Sequence, residues 1–236
     1  MGTTVSFKRL DGKDVQGYLA APAPAPAPAH AGSPGVVVIQ EWWGLNDQIR
    51  HAADRLAHAG FTALVPDLYR GKTTVEQEEA SHLMQGLDFG DAATQDVRGA
   101  VRHLKARGAA KVGCIGFCMG GAVSLLAGCN SPELDAVVTW YGFPPLEFLD
   151  ATKLKAPLQG HWATQDEFFP IGTVDQLEAK LSEAGADFEF HRYLARHAFG
   201  NEEAVGEGRI AQTQYDPAWA ARAWDRTFAF LGARLR

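Results

Sequence analysis

A chain of 236 residues that is 46% hydrophobic can close one substantial core, and α/β proteins of this size are routinely one domain. A net charge of −6, with no Lys/Arg cluster, leaves no electrostatic footprint for nucleic acid. No apolar run approaches the roughly 20 residues that cross a bilayer, and Met1 to Leu19 lacks a signal-peptide pattern, so the expectation is a soluble cytoplasmic protein without a membrane or nucleic-acid partner.

Val5–Arg9 and Val15–Ala20 flank Asp11-Gly12, a short-hairpin signal. Ala21–Gly35 alternates proline with alanine and reads as an extended surface loop between strands. Val36–Ile39 is a β-branched run of buried-strand type. Asp47–Ala59 sets Ile49, Ala52, Ala53 and Leu56 on one helical face, and Gly60 ends it. Phe61–Val65 is the next strand, stopped by Pro66. Val75–Leu87 and Ala92–Arg107 read as helices, Lys111–Gly116 as a strand, Met119–Gly128 as a helix and Ala136–Trp140 as a strand. Strand Pro157–Trp162, helix Thr173–Ala184, strand Phe188–Tyr193 and helix Ala218–Leu235 complete the chain. Strands alternating with helices of this length predict an α/β fold, a mostly parallel sheet covered on both faces, within a single domain spanning residues 1–236.

The three cysteines, Cys114, Cys118 and Cys129, form an odd set without a secretion signal. An extended run separates the first two by about 13 Å, and a helix separates the last two by about 16 Å. Both gaps exceed the roughly 4.4–6.8 Å a disulfide requires. Free thiols are expected. No Cys/His spacing of zinc-site type occurs, and neither a metal nor another cofactor is expected.

The most informative segment is Gly116-Phe117-Cys118-Met119-Gly120, the form of a nucleophile elbow with cysteine in the central position. A strand that turns sharply into a helix strains its central residue, and only hydrogen at the flanking Cα positions avoids collision. The side chain then stands at a positive helix N-terminus, which favours a thiolate and a developing oxyanion, the Met119 N–H among the donors. The plainer alternative is a small buried hydrophobe. A strand before it and an alanine-rich helix after it favour the elbow. Cys114 and Cys129 read as packing residues.

In such a fold the acid and then the base follow the nucleophile along the chain. Asp166 follows strand Pro157–Trp162, and His197 follows strand Phe188–Tyr193, each in a loop. Glu167 is a rival acid and His161 a rival base. Five other histidines (His51, His58, His82, His103, His191) fall within helices or a strand, where ordinary roles are expected.

Taken together, Gln40-Glu41-Trp42-Trp43-Gly44-Leu45-Asn46, Val65-Pro66-Asp67-Leu68-Tyr69, Gly116–Gly121, Tyr141-Gly142 and Gln165-Asp166 make the chain resemble the dienelactone hydrolases (carboxymethylenebutenolidases) from about Val36 onward. The resemblance implies an α/β-hydrolase fold and a cysteine hydrolase of cyclic enol esters, its partner a small lactone or ester substrate, as a monomer or a homodimer. It also implies that Glu41 lies beside the resting thiol and holds it inactive, and that the Trp42 N–H joins the oxyanion site. Trp42 and Trp43 are expected to offer an aromatic wall.

The chain departs from the family pattern at the substrate carboxylate. The two arginines that would hold it fall at Gln77 and Asn201, and a tyrosine falls at Ser81. A neutral substrate is therefore expected, with Arg70, Lys72 and Arg196 as nearby cations. The alternatives are a general carboxylesterase for aryl or enol esters, or a non-enzymatic binding or redox-sensing protein on a hydrolase scaffold.

Overall fold

The structure, a computed structural model, describes residues 2–23, 32–207 and 209–236. Most of the proline/alanine segment, residues 24–31, lies outside the described residues. Strands β1 (Thr3–Lys8) and β2 (Asp14–Ala20) form the predicted hairpin, and Gly12 takes the turn at φ 86°. β3 (Gly35–Ile39), α1 (Asp47–His58) and β4 (Thr62–Pro66) follow, then α2 (Gln77–Gln85), α3 (Phe89–Asp91) and α4 (Arg98–Ala106). β5 (Val112–Phe117), α5 (Met119–Asn130) and β6 (Ala136–Trp140) form the centre. β7 (Leu158–Ala163), α6 (Ile171–Glu183), β8 (Phe188–Tyr193) and α7 (Pro217–Leu235) close the chain.

The eight strands form one sheet in the order β1-β2-β4-β3-β5-β6-β7-β8. β3 to β8 run parallel to one another, while β2 pairs antiparallel with both β1 and β4. Side chains alternate across the pleat. Val37, Ile39 and Cys114 join α4, α5 and α6 in one core, whereas Val36, Val38, Ile115 and Phe117 join α1 and α7 in the other. This is the expected parallel sheet covered on both faces, an α/β-hydrolase fold.

Two helices differ from the sequence expectation. α2 starts at Gln77, because the Thr74 hydroxyl accepts from Glu76 N–H and holds a turn before it; Val75 is left 85% exposed. The helix predicted over Ala92–Arg107 is π-helical from Ala92 to Val97. That stretch carries Asp96, 1% exposed, which pairs with Arg9 on the hairpin and with Arg70.

Parallel strands end at one edge of the sheet, where α/β proteins place their sites. Glu41 follows β3, Cys118 follows β5, Tyr141 follows β6, Asp166 follows β7 and His197 follows β8. Five segments distant in sequence meet there.

Candidate active site

β5 turns into α5 at Cys118, whose backbone sits at φ 52°, ψ −118°. A non-glycine residue there is strained, and the surroundings over-determine it. A Cβ on Gly116 would lie 1.9 Å from the Gly120 carbonyl oxygen, and one on Gly120 would lie 2.3 Å from that of Ile39. Gly142 adds a contact that the sequence did not reveal: a Cβ there would lie 1.9 Å from the Cys118 carbonyl oxygen. Tyr141, at φ 40°, makes the turn that brings Gly142 in, and the Cys118 N–H donates to Trp140 O at 3.0 Å. The Cys118 side chain remains half-buried at a cleft.

His197 Nδ1 lies 2.7 Å from Asp166 Oδ2, and both residues are buried. The other Asp166 oxygen accepts from the Phe168 and Phe169 N–H groups at 2.8 and 2.9 Å, so the carboxylate cannot swing away. The imidazole packs against Tyr141, Phe168 and Phe169, with ring centroids 5.0, 4.9 and 5.8 Å away. Burial opposes a charge on His197, but the Cys118 sulfur and the Asp166 carboxylate outweigh it and push its pKa up to about 10.

Glu41, 3% exposed, accepts from Tyr141 Oη at 3.0 Å and from Asn201 Nδ2 at 2.7 Å. Burial raises its pKa above the usual carboxylate range, against the pull of His197 and these two donors. The tyrosine's part was not foreseen, although Tyr141-Gly142 was among the most specific pieces of sequence.

Glu41, Cys118 and His197 line a cleft of about 500 Å³. Its walls are mainly apolar, with Trp42, Trp43, Met84, Met119, Phe143 and Phe169 among them, and none of its described lining residues is Lys or Arg. Arg70 is spent on Asp96 and on the Asp67 carbonyl, and Arg196 on Ala211 O. Gln77 and Asn201 line an adjoining cleft instead. Ser81 lines neither; on α2 its Oγ accepts from Gln85 Nε2, one helical turn away.

The rivals fall elsewhere. Glu167 is exposed. His161 is fully buried and bonds Tyr193 Oη, Gln159 Oε1 and Thr227 Oγ1, with burial holding its pKa well below the ordinary histidine value. Cys114 and Cys129 are buried free thiols, as expected. Among the described residues no cluster of His, Cys, Asp or Glu is arranged to hold a metal, and no helix is long and apolar enough to cross a membrane.

A mostly parallel eight-stranded sheet between helical layers, with a strained residue between strand and helix at its C-terminal edge, defines an α/β-hydrolase. The chain belongs to the dienelactone hydrolase family, whose pattern matches residues 15–235. It is 35% identical over 241 residues to "Protein usf" of Aquifex pyrophilus, covering 98% of each chain. It is 31% identical over 246 residues to the "Putative carboxymethylenebutenolidase" of Aquifex aeolicus, covering 100% of each. Among solved structures it superposes on a chain described as a "Putative Dienelactone Hydrolase" from Klebsiella pneumoniae with a TM-score of 0.84 and 26% identity, covering 98% of each. The protein is thus an ester hydrolase of the dienelactone hydrolase type.

Proposed function

We propose that the protein cleaves neutral lactones and activated esters through Cys118 as nucleophile, with His197 as base and Asp166 as the group that orients it. His197 takes the thiol proton while Asp166 fixes the tautomer at Nδ1. The thiolate attacks the ester carbonyl, and the oxyanion is received by the N–H groups of Met119 and Trp42. Collapse breaks the C–O bond, and the departing oxygen takes the proton from His197. Water, deprotonated by His197, then hydrolyses the acyl thioester and restores the thiol. A thiolate is itself a good leaving group, so the intermediate reverts unless the departing oxygen is comparably good. Enol and aryl esters meet that condition.

The observation that carries this reading is the buried 2.7 Å contact between His197 Nδ1 and Asp166 Oδ2 over the cleft that also holds Cys118. Glu41 stands in the same cleft with raised pKa, placed to modulate the resting thiol. The open, apolar walls also suit a general esterase for aryl esters, which differs only in substrate range.

The test is hydrolysis of cyclic enol lactones and of simple aryl esters by the parent protein, His197→Ala and Asp166→Asn. Loss of a general base costs roughly 10²–10⁴-fold, and a mis-set tautomer about 10⁴-fold. Near-parental turnover by His197→Ala would assign the base elsewhere.

A further inference from the structure

The segment Val65-Pro66-Asp67-Leu68-Tyr69 leaves β4 for a loop and has no part in the acyl transfer proposed above. Its last residue, Tyr69, is 7% exposed, and its hydroxyl donates to Met119 Sδ at 3.1 Å. That hydroxyl has no other hydrogen-bond partner among the described residues. Met119 directly follows Cys118, opens α5 and lines the reaction cleft, whereas Tyr69 does not line it. The tyrosine stands behind the wall of the cleft.

The loop is tied down from several sides. The Asp67 carboxylate accepts from the Tyr69 N–H at 3.1 Å and from the Gly71 N–H, closing a turn. Buried Gln40, the residue before Glu41, accepts from the Leu68 N–H at 3.2 Å. Arg70, at φ 57°, donates to the Asp67 carbonyl and to buried Asp96, which Arg9 of the hairpin also pairs with. All of this fixes a tyrosine ring in one place. A phenylalanine would bury nearly the same apolar area, so packing does not account for the hydroxyl. A buried hydroxyl without a partner is costly, and here its partner is a thioether. Burial and the nearby Cys118 sulfur both raise the pKa of the phenol, which keeps its proton and remains a donor.

We propose that Tyr69 is a positioning residue for acyl transfer, and that it acts by pinning the Met119 side chain beside Cys118. The inference rests on the ester hydrolysis proposed above. Methionine has three rotatable bonds and fills irregular space. Released from Tyr69, the Met119 thioether can turn into the cleft and displace the acyl group. Held at Sδ, it stays part of the wall, and the acyl carbonyl is seated against the Met119 N–H. Such a donor works only when it lies about 2.7–3.1 Å from the developing oxyanion. A misplacement of about 1 Å can cost about 100-fold. Tyr69 itself neither gives nor takes a proton.

The test is a double-mutant cycle on hydrolysis of an activated aryl ester. Tyr69→Phe removes the donor and keeps the ring, while Met119→Leu removes the acceptor and keeps most of the volume. Acylation and deacylation both pass through an oxyanion, so kcat reports the effect whichever step limits. Each single variant should lose about tenfold in kcat with KM within about twofold, the worth of one hydrogen bond, and the double variant should lose no more than either. The pH profile of kcat in Tyr69→Phe should keep the parental shape. The inference is overturned if Tyr69→Phe has a lowered Tm but parental kcat, which is the mark of a purely structural hydroxyl. Losses that multiply in the double variant, or a shifted pH profile, also overturn it. Those results leave the hydrolase reading standing, because the parent still turns over the ester. A parent that cleaves no activated ester would overturn that reading, and this inference with it.

Discussion

Asn201 Nδ2 donates to Glu41 Oε2 at 2.7 Å from a position four residues beyond His197, where the family pattern calls for an arginine. With Tyr141, this gives a buried carboxyl group two neutral donors and no guanidinium. Neutral donors offset less of a buried charge's desolvation than a cation does, which is why burial holds Glu41 above the ordinary carboxylate range. For an acid with a raised pKa the folded state binds the extra proton, so the destabilisation grows as pH rises. Glu41→Gln should therefore have a higher Tm than the parent at pH 8, with the gap narrowing as pH falls below the ordinary glutamate value of about 4.3, where the carboxyl is protonated in both states. Calorimetry at several pH values checks this; a lower Tm for the variant at pH 8 would show that the carboxylate is net stabilising.

The three thiols should differ sharply in reactivity. Burial alone pushes the Cys114 thiol far above its ordinary value, and burial, helped by Asp150, pushes Cys129 up to about 11. Cys118 is half-buried, at a helix N-terminus and beside an imidazole. Limiting iodoacetamide at pH 7.5 followed by peptide mapping should label Cys118 first. Preferential labelling of Cys114 or Cys129 would remove the elbow assignment.

His197 links the site to stability. Its pKa is raised to about 10, so its contribution is fully present below the ordinary value of about 6.5 and is lost as pH rises through 10. The Tm difference between the parent and His197→Gln should be largest near pH 6 and shrink toward pH 10. A difference that stays constant or widens over that range would contradict the charged imidazole.

Much of this arrangement was legible in the sequence because it rests on local chain geometry. The elbow needs Gly116 and Gly120 at fixed offsets from Cys118, and the order of Cys118, Asp166 and His197 along the chain follows strand order. The rest depends on contacts between distant segments. Gly142 is required because a Cβ there would collide with the Cys118 carbonyl oxygen, and Tyr141 serves Glu41 across 100 positions of sequence; neither distance has a periodic trace. The π-helical stretch at Ala92–Val97 escaped for the same reason, since its pattern of apolar residues reads as an ordinary helix while Asp96 pairs with Arg9 and Arg70.

Substrate charge follows from the cleft. A charge-assisted hydrogen bond to a carboxylate contributes roughly 1.5–3 kcal/mol, and the reaction cleft offers no such partner while presenting Glu41. Uncharged enol lactones should therefore be turned over with higher kcat/KM than carboxylated analogues. Gln77→Arg together with Asn201→Arg should raise activity selectively on the charged member. A parental preference for the carboxylated substrate would mean that another cation serves it.

The proposed mechanism requires the acyl group to pass through Cys118. The direct measurement is intact-mass spectrometry with peptide mapping on protein quenched during turnover of a slowly hydrolysed aryl ester. The account predicts an adduct of acyl mass on the peptide containing Cys118, absent from Cys118→Ala, which should also lose turnover. An acyl adduct on another residue, or parental turnover by Cys118→Ala, would contradict it.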